Sequence, residues 1–130
     1  MKADDPKPLQ YISQAYKDMG QEDKALEYNQ MYMDKNPNAA PTDFMKLAEI
    51  YISKAKKDAA TKKENIQKAI NVYAKLAEKY PTLKPFAKLQ EANTAFQNEM
   101  DEEAIAAYQD VIINLIKKHF LLFIKVFKTI

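Results

Sequence analysis

Cysteine, tryptophan and arginine are absent from this chain of 130 residues, and glycine occurs once. Without cysteine there are no disulfide bonds and no thiolate metal sites. All 20 basic residues are lysine, so the chain lacks the planar guanidinium that binds phosphate through two parallel hydrogen bonds, which argues against base readout. A single glycine cannot form a glycine-rich phosphate loop. These absences remove residue types on which many enzymes and nucleic-acid-binding proteins depend.

Groups for catalysis are scarce as well. His119 is the only histidine and Ser13 and Ser53 are the only serines, so no catalytic triad can be assembled. The carboxylates at 101–103 are interpreted as the acidic first turn of a helix, where the helix dipole favours them. The lysines at 54–63 are interpreted as a solvated helix tip, because acids surround them and the net charge is only +2. The sequence therefore predicts no enzyme, no cofactor, no metal site and no nucleic-acid partner.

Helix-forming residues dominate the composition. The chain is 47% hydrophobic, and its β-branched residues are scattered among Ala, Leu, Lys, Glu and Gln. Apolar residues recur at i, i+3 and i+7, as in Leu9, Ile12 and Tyr16, which is the stripe of an amphipathic helix. The length favours one domain. The sequence predicts an all-α protein with almost no sheet.

Breaker residues divide the chain into six predicted helices. Gly20 ends the first helix, Thr42 is the predicted N-cap of the third, and a polar tip at 58–63 separates the third helix from the fourth. The fourth starts at Thr61 or Asn65 and ends before Pro81. The other predicted helices are 9–19, 24–35, 43–58, 86–98 and 101–130.

One pattern occurs three times: a small residue, a large residue four to seven positions later and, in the first two copies, a proline at the exit. Its residues are Ala25, Tyr32 and Pro37, then Ala69, Tyr73, Leu76 and Pro81, then Ala104, Tyr108 and Val111. Together with the amphipathic helix before each copy, the pattern resembles the tetratricopeptide repeat (TPR) family, whose unit is about 34 residues of helix, turn and helix. The resemblance covers residues 8–113 and implies a solenoid of three stacked helical hairpins.

The second and third units depart from the family pattern. Tyr51 and Ala69 are separated by nine more residues than Tyr16 and Ala25, which predicts that both helices of the second unit are longer by about one turn. The third unit has Asn93 where the family has a small residue, and its turn has no glycine.

The resemblance also implies a function. In the family, the first helix of each hairpin lines a concave groove that holds a peptide or helix of another protein. The chain is therefore expected to be a non-catalytic protein–protein interaction or scaffolding module, whose partner the sequence does not identify. At the positions where chaperone-binding relatives carry Lys and Asn, this chain has Gln, Met, Glu and Thr, so that carboxylate clamp is absent. The expected groove residues are Gln10, Gln14, Lys17, Met45, Glu49, Ile52, Gln90, Thr94 and Gln97.

The last part of the chain differs in charge from the rest. All 18 acidic residues lie within 1–110, whereas 111–130 contains four lysines and no acid. No proline or glycine interrupts the sixth helix, so it is predicted to run for about 28 residues, or about 42 Å. The predicted organisation is a disordered lead-in at 1–7, a repeat domain at 8–115 and a hydrophobic helical extension at 116–130.

Three interpretations of residues 116–130 are open, because a helix so largely apolar is unstable when exposed to water. In the first, the extension caps the third repeat or forms a homo-oligomer through Phe120, Phe123, Ile124 and Phe127. In the second, less favoured, it lies on a membrane surface with its lysines toward the headgroups. In the third, it is a chance reading of A/T-rich DNA. Self-assembly or membrane-surface association through this helix is the alternative to groove binding.

The compartment follows only in part from the first residues. Residues 1–6 lack the apolar core of a signal peptide. The protein is therefore expected to be cytoplasmic, or periplasmic after removal of a leader.

Overall fold

Residues 5–129 are described by a computed structural model, and this part of the chain is all-α. Short 3₁₀ turns at Ala59–Thr61 and Pro81–Leu83 precede the fourth and fifth helices, and no strand occurs within residues 5–129. The predicted all-α class, with six helices in a hairpin-like arrangement, is confirmed. The helices are α1 (Lys7–Asp18), α2 (Glu22–Lys35), α3 (Pro41–Lys57), α4 (Lys62–Lys79), α5 (Lys84–Gln97) and α6 (Asp101–Lys128).

Helix lengths follow the sequence pattern closely. The 17 residues of α3 and the 18 of α4 compare with 12 in α1 and 14 in α2, which confirms that the additional residues between Tyr51 and Ala69 lengthen both helices. The predicted length of α6 is also confirmed, since it has 28 residues. The predicted lead-in overlaps α1, which begins at Lys7, while residues 1–4 and Ile130 lie outside the described part of the chain.

The prediction that Thr42 is the N-cap of α3 is wrong. The N-cap is Ala40, whose backbone is extended, and Pro41 is the first helical residue. Proline fits this position because its fixed φ is helical and the position needs no N–H donor. Asp43, two residues further on, supplies the cap: its Oδ2 accepts a hydrogen bond of 2.8 Å from the Ala40 N–H. The carboxylate that completes the first turn therefore lies inside the helix.

The chain divides into two compact units, Met1–Tyr73 and Ala74–Ile130, with the boundary inside α4. In the first unit α2 packs against α1 and α3. Small side chains allow these helices to approach closely: Ala25 and Ala48 are fully buried, and Ser13 Oγ donates 2.7 Å to the Ala25 carbonyl across the α1–α2 contact. Burial of this apolar surface is the main source of stability in the unit.

In the second unit α5 packs against α6. Its buried residues are mostly alanines, including Ala92, Ala95 and Ala104. Tyr108 of α6 donates a hydrogen bond of 2.6 Å to Asn93 Oδ1 of α5. Asn93, which occupies the position of a small residue in the family pattern, therefore serves as a polar contact between the two helices.

The turns between α1 and α2 and between α5 and α6 have the same geometry. Gly20 has φ +73° and Glu99 has φ +61°. In the first turn the N–H groups of Gly20 and Gln21 donate to the carbonyls of Lys17 and Tyr16, and the Glu99 and Met100 N–H groups donate correspondingly to Phe96 and Ala95. Each is a Schellman C-cap with a left-handed residue just after the helix. The two hairpins are thus closed in the same way, once with glycine and once without it.

Candidate interaction surfaces

The expected groove residues on α1 are half-buried and already have polar partners. Gln10 Nε2 donates 2.6 Å to Asp43 Oδ1 of α3, and Gln14 Nε2 donates 2.8 Å to Asp18 on the same helix. Lys17 Nζ forms an ion pair of 2.9 Å with Glu49 of α3. Two of these three contacts join α1 to α3, so they hold the two helices in register.

Met45, Glu49 and Ile52 share one face of α3, because they are spaced at i, i+4 and i+7. Met45 and Ile52 are half-buried, while Glu49 is exposed and accepts the ion pair from Lys17. This face therefore presents two apolar side chains beside a salt bridge whose net contribution to stability is small, as is usual at a surface.

Gln90, Thr94 and Gln97 lie on α5 of the second unit and differ in accessibility. Gln90 is half-buried and Gln97 is exposed, but Thr94 is only 5% exposed. The backbone carbonyl of Thr94 accepts a hydrogen bond of 2.7 Å from Asn98. In the single chain, Thr94 offers little surface to a ligand.

A buried carboxylate that the sequence analysis did not single out connects three helices of the first unit. Asp43, 5% exposed, accepts hydrogen bonds from Gln10 of α1 at 2.6 Å and from the Tyr32 hydroxyl of α2 at 3.1 Å, in addition to the Ala40 N–H. Asn36 in turn donates 2.9 Å to the Tyr32 oxygen. Burial raises the pKa of Tyr32, and the neighbouring Asp43 carboxylate adds to this effect. The network joins α1, α2 and α3 through the Asp43 carboxylate.

A shallow depression of about 410 Å³ lies beside the α1–α2 turn. Its carboxylates are paired: Glu22 with Lys57 at 2.7 Å and Asp23 with Lys54 at 2.6 Å. Burial alone would raise the pKa of Glu22, but hydrogen bonds from Lys57, its own backbone N–H and Ser53 together lower it. The third carboxylate of the depression, Asp58, accepts hydrogen bonds from the Thr61 hydroxyl at 2.7 Å and from the Ala60 N–H at 3.1 Å.

Other polar groups singled out from the sequence do not converge. The carboxylates of Asp101, Glu102 and Glu103 are exposed in the first turn of α6, and His119 is exposed further along it. Within residues 5–129 no group of three or more His, Asp or Glu side chains is placed to hold a metal ion.

Glu91 on α5 is a buried carboxyl with an incomplete set of partners. It is 7% exposed, its Oε2 accepts from Lys88 Nζ at 3.3 Å, and its Oε1 has no hydrogen-bond partner. Burial raises the pKa of Glu91, with a contribution from Asp110 that Lys88 opposes. The periodicity of α5 does not reveal this position, because a charged residue within a helical pattern is ordinarily exposed.

The second half of α6 is exposed on nearly all sides. Phe120, Phe123 and Phe127 are 60%, 62% and 68% exposed, and Ile124 is half-buried. The Phe123 and Phe127 rings contact one another, with centroids 5.6 Å apart. An apolar helix surface of this extent is a typical site of association.

The exposed apolar residues of α6 include one continuous line, called here the α6 stripe. Its spacings are 4, 3, 4, 4, 3 and 4, so its members share one helix face. All of its apolar members are 55% to 68% exposed. The side of α6 that faces α5 contains Ala104, which is buried, and Tyr108 and Val111, which are half-buried. The first three stripe residues each follow one of these by one position. Because successive residues of a helix are about 100° apart, the stripe lies about 100° around α6 from the side that faces α5. Its residues are Ile105, Gln109, Ile112, Ile116, Phe120, Phe123 and Phe127.

The hydrophobic extension predicted from the sequence begins at residue 116, whereas the stripe begins at Ile105. The lysines of α6 lie away from the stripe: Lys118 and Lys125 are on the opposite side of the helix, and Lys117 and Lys128 are about 100° to 120° around from the stripe. No helix among the described residues is long and apolar enough to cross a membrane.

The chain matches no protein-family model and no curated protein.

Proposed function

We propose that this chain is a non-catalytic protein–protein interaction module that binds a helix of its partner along the α6 stripe. The observation that carries the proposal is the exposure of six large apolar side chains in a single line between Ile105 and Phe127. A helix can pack its side chains against such a line, as in helix-in-groove and coiled-coil recognition. The TPR-like repeat of hairpins is consistent with a scaffold that presents this helix.

The chemistry of the described residues agrees with a binding role. The polar clusters of the described residues are internally hydrogen-bonded and ion-paired, as at Glu22 and Asp43. The apolar side chains of the α6 stripe, in contrast, are 55% to 68% exposed in the described part of the chain.

Two variants that introduce glutamate on different sides of α6 test the proposal. Ile116→Glu combined with Phe123→Glu places two charges on the stripe, and Leu121→Glu is the matched control because Leu121 is 65% exposed on the lysine side of the same helix. The immobilised chain is exposed to soluble chain and to a cell extract, and bound protein is quantified. The double variant is expected to lose binding by about 100-fold or more, since each buried large apolar side chain contributes about 1.5–3 kcal/mol.

The control is expected to bind as the unchanged chain does. Equal binding by the double variant, with its helix content intact by circular dichroism, contradicts a role for the stripe.

A second candidate is peptide binding on the α1 and α3 surface, as the TPR resemblance implies. The observation that favours it is the pair of half-buried apolar residues, Met45 and Ile52, on either side of Glu49. Glu49→Gln releases Lys17 and is expected to change peptide affinity several-fold if a partner binds there, because charged pairs of this kind set orientation and selectivity. Binding unaffected by Glu49→Gln and by Met45→Ala removes this candidate.

A further inference from the structure

We propose that the occupant of the α6 stripe is α6 of a second copy of this chain, running antiparallel, with Ile116 on the two-fold axis. This inference rests on the proposed function and adds the partner, its direction and its register. A two-fold interface requires the same surface on both copies to be complementary to itself. The α6 stripe meets that requirement in three independent respects.

The first is the spacing of the stripe. Its residues lie 4, 7 and 11 positions before Ile116 and 4, 7 and 11 positions after it. In an antiparallel pair centred at Ile116, every stripe residue therefore faces a stripe residue of the other copy. Only this centre pairs all seven stripe residues with stripe residues. A centre displaced by about one turn, such as the one that faces Ile112 with Phe127 and Ile116 with Phe123, pairs four of them. The facing pairs are Ile105 with Phe127, Gln109 with Phe123, Ile112 with Phe120, and Ile116 with itself.

The second is the size of the facing side chains. The first half of the stripe has isoleucines and the second half has phenylalanines. An antiparallel pair places each phenylalanine against a smaller side chain, which allows facing layers to interdigitate. A parallel pair in register would place Phe120, Phe123 and Phe127 against their own copies. The facing side chains would then be larger in the phenylalanine half than in the isoleucine half, so the two helices could not pack equally closely along their length.

The third is charge. Residues 101–110 of α6 carry four acids and no lysine, whereas 111–128 carries four lysines and no acid. In the antiparallel register the lysine-bearing end of each helix lies beside the acidic first turn of the other copy, with Lys128 level with residue 104. This is a long-range complementarity of the helix ends, because Lys125 and Lys128 lie on the side of α6 away from the stripe. A parallel pair would set acids beside acids and lysines beside lysines, which is unfavourable. The charge distribution thus favours the same direction as the side-chain sizes.

The set of spacings 4, 3 and 4 occurs twice along the stripe, once before Ile116 and once after it, and this repeat suits a long contact between nearly straight helices. They form an 11-residue repeat of about 3.67 residues per turn, close to the 3.6 of an undistorted helix. The stripe spans 22 residue steps, or about 33 Å. Two such helices can stay in contact over this length without marked supercoiling.

Disulfide trapping tests the arrangement. Because the chain has no cysteine of its own, each introduced cysteine is the only thiol that can form a cross-link. Full-length Ile116→Cys, Ile105→Cys and Phe127→Cys variants are purified, oxidised mildly and examined by non-reducing electrophoresis. Ile116→Cys is expected to form a covalent dimer. Ile105→Cys alone is expected to remain single, because its two copies are about 33 Å apart and a disulfide needs Cα atoms within about 7 Å. An equal mixture of Ile105→Cys and Phe127→Cys is expected to cross-link.

The outcomes separate this inference from the proposed function. Cross-linking of Ile105→Cys with itself and not with Phe127→Cys overturns the antiparallel direction while the stripe remains an interface. A purified chain that stays monomeric and gives no cross-link overturns the second copy as the occupant. In that case the proposed function stands only if proteins of the extract bind the unchanged chain and not the double variant Ile116→Glu with Phe123→Glu. Flotation of the monomer with anionic phospholipid vesicles would instead identify a lipid surface as the occupant.

Discussion

Glu99 occupies a backbone position that suits glycine. Its φ of +61° is left-handed, and the equivalent residue of the first hairpin is Gly20 at +73°. A side chain in this region costs about 1 kcal/mol relative to glycine because the Cβ atom crowds the adjacent backbone. We therefore expect Glu99→Gly to raise the free energy of unfolding by about 0.5–1 kcal/mol in urea titrations.

Gly20→Ala provides the opposite change at the matching turn. A Cβ atom there would lie 2.7 Å from Lys57 Nζ, which is the movable end of a long side chain, so the positive φ is the main obstacle. This variant is expected to lower stability by about 1 kcal/mol. A destabilised Glu99→Gly variant would contradict the equivalence of the two turns.

Glu91 is expected to make stability depend on pH. Burial raises the pKa of its carboxyl in the folded state above the ordinary value of 4.5. Well below pH 4.5 the Glu91 carboxyl is protonated in both the folded and the unfolded chain, and its contribution to the free energy of unfolding is fully present. As the pH rises, the unfolded chain releases the proton first, so the free energy of unfolding falls. Glu91→Gln cannot ionise, so it is expected to be more stable than the unchanged chain at pH 7, by on the order of 1 kcal/mol.

Unfolding free energies measured between pH 4 and pH 7.5 check this expectation. The advantage of Glu91→Gln is expected to grow with pH, whereas Glu78→Gln, at an exposed position of α4, is expected to show no such growth. An advantage that is constant or reversed would mean that Glu91 is solvated.

Among the helices, α1, α2 and α3 are joined by the Asp43 carboxylate. Asp43→Ala removes the cap of α3 and leaves Gln10 Nε2 and the Tyr32 hydroxyl without their acceptor. We expect a loss of about 3 kcal/mol, combining a lost cap with unsatisfied buried donors. Asp34→Ala on α2 is the control, since Asp34 is exposed and accepts only from Gln30.

Guanidinium titrations of the two variants measure the difference. A loss below about 1 kcal/mol for Asp43→Ala would show that water replaces the network without cost.

The helices themselves were predictable because their signals are local. Apolar spacing, Gly20 and the prolines predict all six, and the added residues between Tyr51 and Ala69 were correctly assigned to longer α3 and α4. The cap of α3 was mistaken because Pro41 and Asp43 together form a better first turn than Thr42 alone. The Asp43 network was not predictable, since its partners are 11 and 33 residues away and meet only after the helices pack.

For the chain as a whole, the candidate surfaces were only partly readable from the sequence. The apolar extension was recognised because 111–130 differs so sharply in charge from the rest. The α6 stripe as a line from Ile105 was missed, because Ile105 and Ile112 resemble core residues until the structure shows which side of α6 faces α5. The hydrogen bonds and the ion pair of Gln10, Gln14 and Lys17 were likewise not predictable from the sequence, since a polar side chain in a sequence gives no sign of the partner that it meets in the fold.

Association through α6 is tested most directly by the solution mass of the full chain over a hundredfold concentration range. Sedimentation equilibrium of the full chain, of Ile116→Glu and of a chain ending at Leu115 gives the comparison. The full chain is expected to rise from 15.0 kDa toward twice that mass, while both altered chains remain folded monomers. A full chain that stays folded at 15.0 kDa throughout, or altered chains that dimerise equally well, would contradict association through α6.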